Sequence, residues 1–347
     1  MKRILFVSNT SRTKRPYFDP SVRYRCFNLA ENLTQQGNFV RVTSLFDFIS
    51  LNDELLNFDI YVFHRPKLSG SFLKAFKRVK RQGSLLIADY DDLVFDVEHA
   101  FESSIYTSGR ISKRDILRLF SENSAALQLF DNVTVSTQPL ADRVAALNPS
   151  ANVAVVHNYM SDSGRAYAEE LNKSSSKPRE YVGYFSGTRS HDKDIQVFSA
   201  AISEAAKAVN LPVLMVGEVT VPEDFYSGIE LVKLPIMGYH DMYSELLRCK
   251  VVLAPLEQSI FNDCKSGLKY FESAIAGCQV AATPIPDIDR FNAAGLHKCR
   301  TPEDWYDAIV SAGSSTVSPD EVARVAVEQS SSVPVIKKWN EYVGELL

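Results

Sequence analysis

At 347 residues, 45% of them apolar and 23% charged, the chain is long enough to close two cores of ordinary domain size and too apolar to be disordered. A net charge of −4 and a pI near 5.9 exclude the broad basic surface of a nucleic-acid binder, so an anionic ligand must be met by a local group of cations. Cys26, Cys249, Cys264, Cys278 and Cys299 are odd in number and form no C-x-x-C pair, which predicts packed thiols in a reducing, cytoplasmic setting.

Met1-Lys2-Arg3 followed by Ile4 to Val7 imitates the start of an export signal, but polar Ser8-Asn9-Thr10 ends the apolar run too early, and the segment reads as a first buried strand. No stretch approaches the roughly 18 apolar residues that span a bilayer, so membrane contact would be peripheral. Further short apolar runs follow at Phe39 to Val42, Ile60 to Phe63, Leu85 to Ala88, Val133 to Val135 and Val153 to Val156, with helical segments between them. Strands apolar on both faces belong to parallel sheets covered by helices. One intervening helix, Ser71 to Gln82, has Phe72, Leu73, Phe76 and Val79 on one face and a basic remainder, which suits a solvated connector better than a lipid-bound helix.

Ser161 to Glu180 is rich in loop formers and predicts the interdomain linker, set at 166–180 after a first domain over 1–165. A second set of strands then alternates with helices through 181–318: Tyr181 to Phe185, Val213 to Val216, Ile229 to Leu234, Val251 to Ala254 and Val280 to Ala282. Beyond Pro319 the chain is helical to its end, with Val333, Ile336, Trp339, Tyr342, Val343 and Leu346 at helical spacing. The pattern predicts an α/β protein of two doubly wound, Rossmann-like domains whose strand ends face a shared cleft.

The densest chemical signal is Asn262-Asp263-Cys264-Lys265-Ser266-Gly267-Leu268-Lys269-Tyr270-Phe271-Glu272, lying between two strands. A helix starting near Ser266 offers unpaired amides and a positive dipole end, Gly267 permits close approach of a diphosphate, and Lys265 adds a charge. Glu272, between one and two turns in, is placed to accept both hydroxyls of a ribose. The segment resembles the retaining nucleotide-sugar glycosyltransferases of the GT-B fold, in particular the family-4 type that builds bacterial surface polysaccharides such as O-antigen and capsule. The resemblance implies that Glu272 binds the ribose, that the amides of Gly267 and Leu268, with Ser266, meet the diphosphate, and that the terminal helix crosses back to the first domain. Cys264 stands where those enzymes often carry a first glutamate.

A second resemblance lies at Gly183 to Asp194, where Ser186-Gly187-Thr188-Arg189-Ser190-His191-Asp192-Lys193-Asp194 follows a strand. Thr188 and Arg189 suit a grip on phosphate oxygens, while His191 either contacts phosphate or base or helps cap the next helix. The resemblance assigns base recognition to Ile236 to Tyr239.

On the first-domain side, Ser21, Arg23 and Arg25 match the Ser-x-Arg-x-Arg of the same transferases, and with Arg65 they are expected on the acceptor side of the cleft. Asp89-Tyr90-Asp91-Asp92 crowds carboxylates at a strand end, where Asp89 or Asp91 would orient the acceptor or act as base; the competing reading is a structural pair with Arg65. A triplet of acids also suits a metal, but the GT-B resemblance implies helix ends and basic side chains instead, with no required metal. The expected function is transfer of a hexose-type sugar from a nucleotide-sugar donor to a glycan or lipid-linked acceptor, with no nucleic-acid partner. A nucleotide-sugar epimerase and a catalytically silent binding subunit remain alternatives.

Overall fold

The computed structural model describes residues 1–10, 12–50, 53–175, 178–186 and 192–347. Its first sheet is built from β1 (Arg3–Ser8), β2 (Phe39–Ser44), β3 (Ile60–His64), β4 (Leu85–Tyr90), β5 (Asn132–Val135) and β6 (Asn152–Val155), all parallel in the order β2-β1-β3-β4-β5-β6. The second holds β7 (Tyr181–Phe185), β8 (Val213–Val216), β9 (Leu231–Leu234), β10 (Cys249–Ala254), β11 (Gln279–Ala282) and β12 (Leu296–Lys298), parallel in the order β12-β11-β10-β7-β8-β9. Strand order reverses between β1 and β3 in one sheet and between β7 and β10 in the other. Ligands of open α/β sheets bind at the carboxyl ends of strands beside such reversals.

Helices cover both faces of each sheet. In the first domain one face packs Leu5, Val7, Tyr61 and Phe63 under the helix Gly70–Arg81, whose Phe72, Ala75, Phe76 and Val79 are buried. Ser69 caps that helix on the Phe72 amide, and Arg78, Lys80 and Arg81 sit in its last turn, where the dipole favours cations. The opposite face packs Ile4, Phe6, Ile60 and Val62 against Val335, Ile336, Trp339, Tyr342 and Val343 of the terminal helix Ser332–Leu346. That helix thus belongs to the first domain, while the preceding helix Pro319–Gln329 packs Val322 and Ala326 on the second.

The structure corrects the linker. Asp162–Ser174 is a helix, capped by Ser161 on the Gly164 amide, and only Gly164 and Ala168 of its residues are fully buried, so its sequence carries a weak apolar period. The chain crosses between domains just before it, at Val156 to Ser161, and returns at Ser330-Ser331; the Met160 amide donates to the Ser330 carbonyl at 3.3 Å, tying the two crossings together. Among the described residues no helix is long and apolar enough to cross a membrane.

Candidate active site

The second sheet's strand reversal opens onto the segment after β10. A short helix, Ile260–Asp263, leads through Cys264 to Gly267 and then to the helix Leu268–Ile275. Gly267 is the N-cap and no side chain caps that helix; the Tyr270 amide donates to the Gly267 carbonyl at 3.0 Å, and the Leu268 and Lys269 amides have no acceptor among the described residues. Lys265 and Lys269, four residues apart, flank this helix start: the Lys265 ammonium lies 5.4 Å from the Phe261 ring centre and that of Lys269 5.0 Å from Tyr184 on β7. Neither ammonium forms an ion pair among the described residues. Burial pulls the Lys269 ammonium below its ordinary range, Asp194 opposes that shift, and the charge of Lys265 adds to it. Two neighbouring cations at a helix N-terminus call for an anion.

Gly267 is used differently from the expectation. Its amide donates to Asp287 Oδ2 at 2.7 Å, and a Cβ there would lie 2.9 Å from Ile288 Cδ1 and 3.1 Å from Phe291. The glycine therefore admits the helix Pro286–Asp289 rather than a ligand, and its amide is taken; the open amides are those of Leu268 and Lys269. Ser266 Oγ accepts from Asn158 Nδ2 of the interdomain crossing at 2.9 Å. Cys264 is buried within the first domain's apolar cluster together with Phe261, and its carbonyl accepts from Thr137 Oγ1 at 2.8 Å. Burial pushes the Cys264 thiol up to about 12, so it is no stand-in for a carboxylate.

Glu272 lies further along the same helix, half-buried, and its Oε1 accepts from the Tyr24 hydroxyl of the first domain at 2.6 Å. Burial raises the Glu272 carboxyl, and Arg23, the Tyr24 hydrogen bond and Lys269 offset only part of the rise. Around it stand Tyr239 and Tyr243, with hydroxyls 3.1 Å apart, and Met160. The Arg23 guanidinium carbon sits 3.7 Å from the Tyr239 ring centre. Arg23 through Phe27 form a π-helical turn, a rare element found preferentially at functional sites.

Thr188, Arg189 and His191 lie outside the described residues. The chain enters this segment at Ser186, which packs on Gly217 after β8; a φ of +104° and that contact leave Gly217 no room for a side chain, since a Cβ would fall 1.8 Å from the Ser186 carbonyl oxygen. At its exit, Asp194 accepts from the Glu257 amide at 3.0 Å and so ties the helix Asp192–Gln196 to the segment after β10.

The first-domain carboxylates are committed. Asp89, 1% exposed, receives Arg25 Nε at 3.0 Å, Arg25 Nη2 at 2.6 Å and Thr134 Oγ1 at 2.7 Å. Arg25 is equally buried and also donates to the Val156 carbonyl and Asn158 Oδ1. Asp91 binds His64 Nε2 at 2.9 Å and Arg65 Nε at 2.6 Å; burial alone would raise its carboxyl, but Arg65 and His64 hold it well below the ordinary carboxylate range. Arg65 adopts φ +48° and also reaches Ser21 at 3.0 Å. Asp89, 1% exposed and bonded on both oxygens, is placed as the structural partner of Arg25, and Asp91 forms the pair with Arg65 that the sequence left open as the alternative to a base. Arg25 is likewise an interior brace, not an acceptor-side cation. Among the described residues one grouping, Asp96, Glu98 and His99, has the spacing of metal ligands, and Arg143 pairs with Asp96 and Glu98.

Asn158 was not legible from sequence; Tyr239 falls in the segment expected to recognise the base, Lys269 in the donor segment and Tyr24 between the expected Arg23 and Arg25. Lys269 carried a further signal, its four-residue spacing from Lys265.

No protein-family profile matches the chain, and no curated sequence does. Solved structures match it over its length. An α-glucosyltransferase in complex with UDP and a 13-mer DNA superposes with a TM-score of 0.67 at 10% identity, covering 99% of this chain and 100% of that one. HepE from Anabaena, in complex with UDP and glucose, matches at TM-score 0.58 and 12% identity over 99% and 100% of the two chains. TarM from S. aureus matches at TM-score 0.56 and 13% identity over 85% of this chain, which spans only 58% of TarM's length. Its two parallel six-stranded sheets with flanking helices match the two Rossmann-like domains of these enzymes: this chain has the GT-B fold of glycosyltransferases.

Proposed function

We propose that the protein transfers a hexose-type sugar from a nucleotide-sugar donor, a UDP-sugar first among them, to a hydroxyl of a glycan or lipid-linked acceptor. One observation carries the reading: the paired cations Lys265 and Lys269 beside the uncapped start of the Leu268–Ile275 helix, with Glu272 further along it, at the strand reversal of the second sheet. A diphosphate satisfies the first group and ribose hydroxyls the second. Structurally similar enzymes hold UDP or UDP-glucose, which supports the donor class.

Catalysis then consists of stabilising the departing nucleoside diphosphate by amides and ammonium groups while the acceptor hydroxyl attacks the anomeric carbon. This arrangement asks for no metal. Arg189 and Thr188 are proposed to grip the diphosphate, and His191 to contact phosphate or base as a candidate catalytic residue. Retention of configuration and a role in surface-polysaccharide assembly at the cytoplasmic face of the membrane belong to the same proposal. DNA is not the proposed acceptor, although one similar enzyme binds it, because a net charge of −4 gives the chain no overall attraction to a phosphate backbone. Cys264 in the place of a sugar-contacting glutamate favours a second reading, a subunit that binds donor without turnover.

The test is release of nucleoside diphosphate from UDP-, GDP-, dTDP- and ADP-sugars with and without pooled glycan and lipid-linked acceptors. Acceptor-dependent release supports transfer; donor conversion without acceptor supports an epimerase. Binding without either supports the silent subunit and sinks the transferase.

A further inference from the structure

The nucleoside end of the proposed donor site is filled by the protein itself. Tyr24 comes from the first domain, yet it is 1% exposed within the second domain's apolar cluster, with its hydroxyl on Glu272. Its neighbour Arg23 is 5% exposed, lies face-on to Tyr239, and its Nε has no hydrogen-bond partner among the described residues. A buried guanidinium nitrogen left unpaired is unfavourable, and a cation–π contact offsets it only in part. Both residues ride on the π-helical turn Arg23–Phe27, an irregular element able to change its register. A planar group stacked on an aromatic ring, beside a hydroxyl bonded to a carboxylate, repeats the outline of a base with its ribose.

We propose that Arg23 and Tyr24 form an internal plug that occupies the nucleoside position on Tyr239 and Glu272 in the donor-free protein, so that donor entry withdraws this turn and opens the two domains. The proposal rests on the reading of Glu272 as the ribose acceptor. It makes donor affinity smaller than the site's own contacts would give, because the competent state must first be populated. The movement would pivot on the two crossings joined by Met160 and Ser330.

The experiment uses the full chain: calorimetric titration with UDP, GDP, dTDP and ADP and small-angle scattering, for native protein, Tyr24→Phe and Glu272→Ala, with stability of Tyr24→Phe, Glu272→Gln and their double variant measured without nucleotide. The plug predicts that Tyr24→Phe binds the preferred nucleotide about two- to tenfold more tightly, the worth of one hydrogen bond no longer broken. It also predicts that nucleotide increases the native radius of gyration, and that the two residues are energetically coupled in the free protein. Binding abolished by Glu272→Ala but unchanged or weakened by Tyr24→Phe overturns the plug and leaves the donor site standing. No binding of any nucleotide by any variant, with the coupling present, overturns the donor reading and the plug together.

Discussion

Replacing Asp89 by Asn separates a structural role from a catalytic one. The Asp89 carboxylate takes two hydrogen bonds from Arg25 and one from Thr134, and both members of the ion pair are 1% exposed. Removing one charge of a buried pair leaves the other uncompensated and costs about 3–5 kcal/mol. At roughly 2–4 °C per kcal/mol for a unit of this size, the unfolding midpoint should fall by roughly 6–20 °C. Calorimetry reads that directly, and transfer by the variant, assayed well below its midpoint, should stay within a few-fold of native. The double replacement Arg25→Met with Asp89→Leu should recover much of the lost stability, because apolar side chains of similar volume often replace buried ion pairs without penalty. An unchanged midpoint with a rate loss of about 100-fold or more would refute this reasoning and return Asp89 to the role of base.

Trp339→Ala removes the largest side chain joining the terminal helix to the first sheet, where it packs 6.3 Å from Phe6, and should destabilise the first domain by about 3–5 kcal/mol in denaturant titrations. Gly217→Ala should displace the end of β7 and weaken nucleotide binding together with stability, since no rotamer avoids the Ser186 carbonyl; a fully stable variant with native affinity would contradict the contact. Asp91, with its carboxyl depressed in the fold, contributes stability that is complete above its unfolded value near pH 4 and is lost as pH falls through the lower folded value. Asp91→Asn should therefore lower stability at neutral pH and flatten the acid limb of a stability–pH profile below about pH 4.

Strands were legible in the sequence where both faces are buried: Ile60–His64 is covered throughout, and its apolar run stands out from its surroundings. β12 was not, because Leu296-His297-Lys298 is a three-residue edge strand with little apolar content. The helix Asp162–Ser174 read as a linker because only Gly164 and Ala168 are fully buried, with Tyr167 and Leu171 partly buried against the second domain's cluster. Site residues followed the same division. Lys265, Leu268 and Glu272 form one local segment, so their shared placement is written in their spacing. Arg25 meets Asp89 across 64 positions, and Tyr24 meets Glu272 across 248, so only the fold shows that one arginine is an interior brace and that a first-domain tyrosine reaches Glu272.

Calorimetric titration of UDP, GDP, dTDP and ADP into native protein, Lys269→Ala and Glu272→Ala tests the donor site most directly. The account predicts that one nucleotide binds selectively. Each variant, still folded, should lose roughly 10- to 150-fold in affinity, the worth of a hydrogen bond to a charged group. Absence of binding by all four, or binding that both variants retain in full, would contradict it.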